Sequence, residues 1–223
     1  MTLLETARRP WTDDPFAEAM RTGRGPLWLR RSDGSRHHLD VERWCAPPDA
    51  ADRSLLLRCL AEGRPALDIG CGPGRLVTEL QALGLPALGV DVTRAAVART
   101  RGLGGSALCR SVFDRLPGEG RWGTALLADG NLGIGGDPAA LLARTAELLA
   151  PGGVLLAEVE PQEMDERVTV RVEDATGWCG PPFRWARLGA AATARCAADA
   201  GLAQSERWSV RGRSFLALRR PRP

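Results

Sequence analysis

The chain has no lysine and no tyrosine, only two histidines, and aromatic residues make up 5% of it. All 30 cations are therefore arginine, which reads as a coding bias towards Arg, Ala and Gly rather than as chemistry. His37 and His38 are the only side chains that titrate near neutrality unperturbed. The net charge of +3 is too small to argue for nucleic acid, and no arginine stripe interleaved with aromatics appears. No apolar run reaches the roughly 18 residues of a membrane span. The opening residues Glu5, Arg8, Arg9, Asp13 and Asp14 are unlike a signal peptide. A cytoplasmic protein with no membrane partner is expected. Six cysteines (Cys45, Cys59, Cys71, Cys109, Cys179, Cys196) contain no Cys-x-x-Cys pair, so neither zinc nor a disulfide framework is indicated. Most of them read as small buried hydrophobes.

What is present is ordinary in bulk and specific in one place. Hydrophobic residues at 44% and charged residues at 26% suit a globular protein. A length of 223 residues suits one domain with a small appendage. The specific place is Ala66-Leu-Asp-Ile-Gly-Cys-Gly-Pro-Gly-Arg75. An apolar run reaches Asp68, Gly70, Gly72 and Gly74 alternate through a loop, and a helical periodicity begins at Arg75. Strand, glycine turn and helix make a nucleotide-binding crossover. Glycines let backbone approach a ligand that side chains would block, and the helix N-terminus offers N–H groups to it. The dinucleotide fingerprint wants a third glycine where Arg75 stands, which argues against a dehydrogenase. An acid before the first glycine suits a ligand carrying an ammonium group.

This Asp-x-Gly-x-Gly-x-Gly pattern resembles motif I of the class I S-adenosylmethionine (SAM) methyltransferases. Twenty-one residues past Gly70, Val90-Asp91-Val92 ends a second strand with an acid, where a ribose diol is gripped. Leu149-Ala-Pro-Gly-Gly-Val-Leu-Leu156 is similar to the family's turn between fourth helix and fifth strand. The resemblance implies an α/β fold: a doubly wound, seven-stranded Rossmann-like sheet, mostly parallel with the last strand antiparallel, carrying an N-terminal helix and β-hairpin extension. It implies SAM as cofactor, S-adenosylhomocysteine as product and methyl transfer to an O or N atom of a small molecule, with secondary metabolism as the setting. A non-catalytic SAM-binding or scaffold protein is the alternative, since motif I reports binding and not turnover. Monomer and homodimer remain equally open.

The remaining landmarks follow in order. Residues 1–50 read as a helix-and-hairpin cap: Trp11, Phe16, Ala17 and Met20 at near-helical spacing, then two alternating runs around Ser32-Asp-Gly-Ser35. Residues 51–223 read as the SAM-binding domain, with an insertion near 161–188. Thr93 is expected to N-cap a helix. Many family members bind the adenine amino group with an acid in the loop that here reads Ser111-Val-Phe-Asp-Arg-Leu-Pro117. That position falls on Val112, so Val112, Phe113 and backbone groups are expected there, with Asp114 a lesser candidate. Asp129, Gly130 and Asn131 follow the fourth strand, where the transferred methyl should sit. Expected cofactor contacts are thus Asp68, Gly70, Cys71, Gly72, Gly74, Asp91, Val92, Val112, Phe113, Asp129, Gly130 and Asn131. Trp28, Trp44, Trp178 and Trp185 are candidates for the acceptor wall. A hydroxyl acceptor needs a base, for which His37, His38 and Asp129 are the candidates. Asp129 stands nearly alone among possible oxygen ligands, with Glu158 and Glu160 ending the next strand. No metal is expected, in contrast to the catechol O-methyltransferases. The Arg219–Arg222 tail is expected to be solvated and frayed.

Overall fold

In the computed structural model, which describes residues 15–222, helix α1 (Pro15–Thr22) comes first and buries Phe16, Ala17, Ala19 and Met20. Trp11 lies outside the described residues. Strands β1 (Leu27–Arg31) and β2 (Arg36–Leu39) form the expected hairpin, pairing Trp28 with His38 and Leu29 with His37. Its turn closes through the Arg31 N–H to the Ser35 carbonyl at 2.9 Å, and through the Ser35 N–H to Asp33 at 2.8 Å. After a short helix α2 (Val41–Cys45), α3 (Ala50–Glu62) starts in a capping box. Asp49 accepts the Asp52 N–H at 2.8 Å and Asp52 accepts the Asp49 N–H at 3.1 Å.

The core then alternates strand and helix: β3 (Ala66–Ile69), α4 (Arg75–Ala82), β4 (Ala87–Asp91), α5 (Arg94–Gly102) and β5 (Ala107–Cys109). It continues through β6 (Trp122–Leu127), a 3-10 turn (Asn131–Gly136), α6 (Pro138–Leu148) and β7 (Leu149–Val159). Asp137 caps α6 by accepting the Ala140 N–H at 3.1 Å, with Pro138 in its first turn. Beyond it lie β8 (Asp165–Asp174), β9 (Phe183–Leu188), α7 (Ala190–Asp199), β10 (Ala203–Val210) and β11 (Arg213–Arg219).

The large sheet has the order β10-β11-β7-β6-β3-β4-β5. β3 to β7 pair in parallel, and β11 runs antiparallel to both its neighbours. Every residue of β3 is buried, as a strand covered on both faces requires. Alternation divides the core in two. Leu127, Leu155 and Leu216 pack towards Leu141, Leu148 and Leu202, while Leu126, Leu156 and Phe215 pack towards Leu55, Leu76 and Leu80.

A second, antiparallel sheet has the order β2-β1-β8-β9. The N-terminal hairpin and the segment after β7, distant in sequence, are therefore one structure: Leu29 pairs with Val172 and Arg31 with Val170. Its inner face, Leu29, Val170 and Val172, packs on Phe16, Met20 and Ala96. Two local expectations change. Thr93 holds the N-cap position of α5 without a side-chain capping bond, and its own N–H donates to the Asp91 carboxylate at 2.8 Å. The tail is not frayed at its start: Arg219 ends β11 and pairs with Glu62 at 2.6 Å, and the Arg220 N–H reaches the Gly153 carbonyl at 2.9 Å.

Candidate active site

A cavity of about 410 Å³ opens at the carboxyl ends of β3, β4 and β5, beneath the second sheet. Open α/β sheets bind ligands at this end, and the volume falls in the range of small-molecule sites. The motif I loop forms one wall. Gly70, Gly72 and Gly74 all have positive φ, at 73°, 53° and 86°, and each answers a different constraint. A side-chain carbon on Gly70 would sit 2.7 Å from the Asn131 amide, and one on Gly74 would sit 2.4 Å from Thr100. A carbon on Gly72 would meet nothing within 4 Å; it would project into open space on the cavity wall. The loop N–H groups are used internally. Those of Gly70 and Cys71 reach the Val90 carbonyl at 2.8 and 3.1 Å, and that of Gly72 reaches Asp91 at 2.9 Å. Asn131 holds the far side, donating to the Ile69 and Gly70 carbonyls at 2.9 Å each.

Asp91 lies at the tip of β4 on the cavity wall, with one carboxylate oxygen accepting from Gly72 and the other from Thr93 at 2.8 Å. A carboxylate offers about four lone-pair sites, so each oxygen keeps capacity for a ligand hydroxyl. Burial raises the pKa of this group, against the pull of those N–H bonds. Val112 and Phe113 line the next stretch, with Phe16, Trp44, Phe183 and Trp185 opposite. Trp44 lies tilted 6.2 Å from Phe16, and Trp185 meets Phe183 edge-on at 6.1 Å.

A second cavity of about 260 Å³ adjoins the first, with Leu39, Trp44 and Asp129 on both walls. Its character is different. Asp129 Oδ1 accepts from Arg43 at 2.8 Å, Arg75 at 3.1 Å and Arg213 at 3.2 Å. Its Oδ2 pairs with Arg75 at 2.7 Å. Arg75 also grips fully buried Asp52 with two bonds of 2.9 and 2.8 Å. Arg213 joins Asp52 at 2.8 Å and Glu158 at 2.8 and 2.7 Å. Across the cavity Arg187 forks onto Glu160 at 2.7 and 2.9 Å. Burial alone would raise the Asp52 and Asp129 pKa values; Arg75 and its fellow arginines outweigh it, holding Asp52 well below the usual carboxylate range and lowering Asp129. Asp129 is held at φ +58°, a left-handed conformation costly for a non-glycine residue. The Glu158 carboxylate fixes it by accepting its N–H at 2.7 Å.

A family profile described as a methyltransferase domain matches residues 36–203, well over half of the chain. The chain belongs to the methyltransferase-domain family. It is an enzyme of the SAM-dependent class. No curated protein matches it significantly. Among solved structures, a SAM-dependent methyltransferase from Bacteroides fragilis in complex with S-adenosylhomocysteine superposes with a TM-score of 0.75 at 19% identity, over 92% of both chains. The Burkholderia thailandensis 1,6-didemethyltoxoflavin N1-methyltransferase gives 0.57 at 20% identity, over 77% of this chain and 79% of its own. A sugar N-methyltransferase from Streptoalloteichus gives 0.57 at 20%, over 77% and 87%. Identities this low speak to the fold.

Within this methyltransferase the expected contacts divide. Gly70, Cys71, Gly72, Asp91, Val92, Val112, Phe113, Asp129 and Asn131 line the first cavity. Gly74 does not, because it packs on Thr100. Asp68 does not line it either. It lies buried in β3 behind the loop, where burial pushes its pKa up to about 7 against the charge of Arg75. Gly130 lines the second cavity. Of the acceptor-wall candidates, Trp44 and Trp185 are in place and Trp28 and Trp178 are on neither wall. Trp28 sits on the small sheet with the Arg36 guanidinium 5.6 Å over its ring, and Trp178 is exposed. His37 and His38 line the second cavity and not the first. Burial, then Arg187, lowers the pKa of His37. The arginines were missed. Arg75 was visible in motif I only as a missing glycine, Arg43 only as the neighbour of Trp44, and Arg213 carried no local signal.

Proposed function

We propose that the first cavity holds SAM and that the second presents a small-molecule acceptor whose O or N atom receives the methyl group, in secondary metabolism. The observation that carries this reading is the open space at Gly72 beside the Asp91 carboxylate, a cradle that a single side-chain carbon would begin to fill. Asp91 takes the ribose hydroxyls, Val92, Val112 and Phe113 the adenine side, and Gly70, Cys71 and Gly72 the amino-acid end. Asp68 contributes from behind the loop, as a buried acid that an ammonium group would favour in its charged form. When bound, the cofactor supplies a methyl carbon already activated by a sulfonium.

The residues then position rather than activate. Holding the acceptor's lone pair in line with that carbon supplies on the order of 7–11 kcal/mol. Asp129 is a poor base, since three arginines stabilise its anion. It serves as the wall between the two cavities, with Gly130 and Asn131 beside the reacting end. His37, kept neutral by its lowered pKa, is the better acceptor of a hydroxyl proton, and His38 the next. A small acceptor is supported by the modest size of the second cavity and by two relatives named for a toxoflavin precursor and a sugar.

Titrating SAM and S-adenosylhomocysteine calorimetrically, then assaying methyl transfer to a panel of phenols and amines, tests the proposal. Binding of neither ligand below about millimolar concentration would end it. Binding without any turnover would favour a non-catalytic SAM-binding protein.

A further inference from the structure

The arginines on the wall of the second cavity are committed to its acids. Arg43 gives Nη2 to Asp129 and Nε to Asp40, at 2.8 and 3.3 Å. Arg213 gives Nε and Nη2 to Glu158 at 2.8 and 2.7 Å, and Nη1 to Asp52 at 2.8 Å. Arg187 gives Nε and Nη2 to Glu160 at 2.7 and 2.9 Å, and its Nη1 stands 4.0 Å from Glu166. Against these three arginines the wall sets four carboxylates, Asp40, Asp129, Glu158 and Glu160. The surplus grows when their ion-pair partners are counted. Asp49, Asp52 and Glu166 join on one side and Arg31 and Arg75 on the other, giving seven acids to five arginines. His37, on the same wall, adds no charge, because burial and then Arg187 keep it neutral. A cavity walled by an excess of one sign concentrates ligands of the other.

Two of the acids keep room for such a ligand. A carboxylate offers about four lone-pair sites. Asp40 is half exposed and takes Arg43 at 3.3 Å through the backbone N–H and Nε. Glu160 is partly exposed and accepts one Arg187 bond at each oxygen. Trp44, on the same wall, adds an indole, the ring whose face cations favour most.

From this, and resting on the reading of the second cavity as the acceptor site, we propose that the methyl acceptor is a small amine, bound as its ammonium ion by Asp40 and Glu160. Loss of one proton, to His37 or to water, then frees the nitrogen lone pair for methylation. An acceptor whose binding group is an anion is disfavoured, since it would meet surplus carboxylates and arginines already paired.

The test uses the full-length protein saturated with S-adenosylhomocysteine at pH 8, where a histidine of ordinary pKa is neutral and an alkylamine is still cationic. Cyclohexylamine and benzylamine are titrated calorimetrically beside cyclohexanol and benzyl alcohol, and beside cyclohexanecarboxylate and benzoate. At least one amine should bind about ten times or more tighter than its alcohol and its acid. Asp40→Asn and Glu160→Gln should each lower that ratio about threefold, and the double variant should bring it to within about twofold. Taking the ratio within each variant divides out any change in cofactor affinity or fold. Alcohols or acids binding as tightly as amines, no amine binding below about 10 mM, or a ratio that survives the double substitution would each overturn the inference. If alcohols or acids bind in the amines' place, the second cavity stands as the acceptor site and only its charge preference falls. S-adenosylhomocysteine binding with no probe following it would count against the acceptor cavity as well, and failure of S-adenosylhomocysteine itself to bind would take the cofactor site with it.

Discussion

The two neighbouring cavities were built by different parts of the chain and by different physics. The first is shaped by glycines and apolar side chains on the parallel core, with half-buried Asp91 on its wall and buried Asp68 behind the loop, neither with an arginine bonded to it. The second is shaped by arginine–carboxylate pairs recruited from α2, α4, β7, β9 and β11. Asp68 and Asp91 are pushed up by burial, while Asp129 and Asp52 are held down by arginine. On the assignment proposed above, the first cavity would take the cofactor and the second the acceptor.

The strongest way to break the comparison is to fill the cradle. Gly72→Val should remove SAM binding by calorimetry while leaving the far-ultraviolet circular dichroism unchanged; an unaltered affinity would show that the loop is not the binding wall. Next comes the arginine network. Arg75→Ala strands Asp52 without its bidentate partner, and stability in urea should fall by about 3–5 kcal/mol, the usual cost of breaking a buried pair. Asp91→Ala should be milder and confined to the first cavity, weakening SAM by about 1.5–3 kcal/mol, as lost bonds to a charged group do.

A fourth experiment sharpens the contrast between acids. Folding raises the Asp68 pKa to about 7, so it favours the protonated form. The stability this contributes is complete below the unfolded-state value and is lost as pH climbs through about 7. The ligand-free protein should therefore lose stability between about pH 4 and pH 7, with a slope of at most about 1.4 kcal/mol per pH unit for one proton, and level off above that. Asp68→Asn should flatten that slope. Asp52 and Asp129, held low, act in the opposite sense and weaken the fold only in acid. The smallest effect belongs to Trp178→Ala. With its ring exposed and off both walls, acceptor turnover should stay within about twofold.

How much could be read beforehand follows the same boundary. The glycine loop and the acid closing the second strand were legible as local patterns, and their resemblance to motif I carried the parallel sheet with its antiparallel edge. The acceptor side was not. Its Asp129 was visible as an acid after a strand, but the arginines that set its charge lie at positions 43, 75 and 213, united only by tertiary structure. His37 and His38 were recognisable as neighbours on one hairpin strand. Which cavity they border depended on β1 pairing with β8, a register no short pattern encodes.

That pairing also bears on how the molecule is made. β1 leaves the ribosome more than a hundred residues before β8. At about 5–20 residues per second, the nascent hairpin waits on the order of ten seconds with one edge bare. Contacts of such sequence separation slow folding in general. A chain stopped before residue 165 carries a complete glycine cradle under an unfinished roof, and a hairpin free to pair with its neighbour on the polysome.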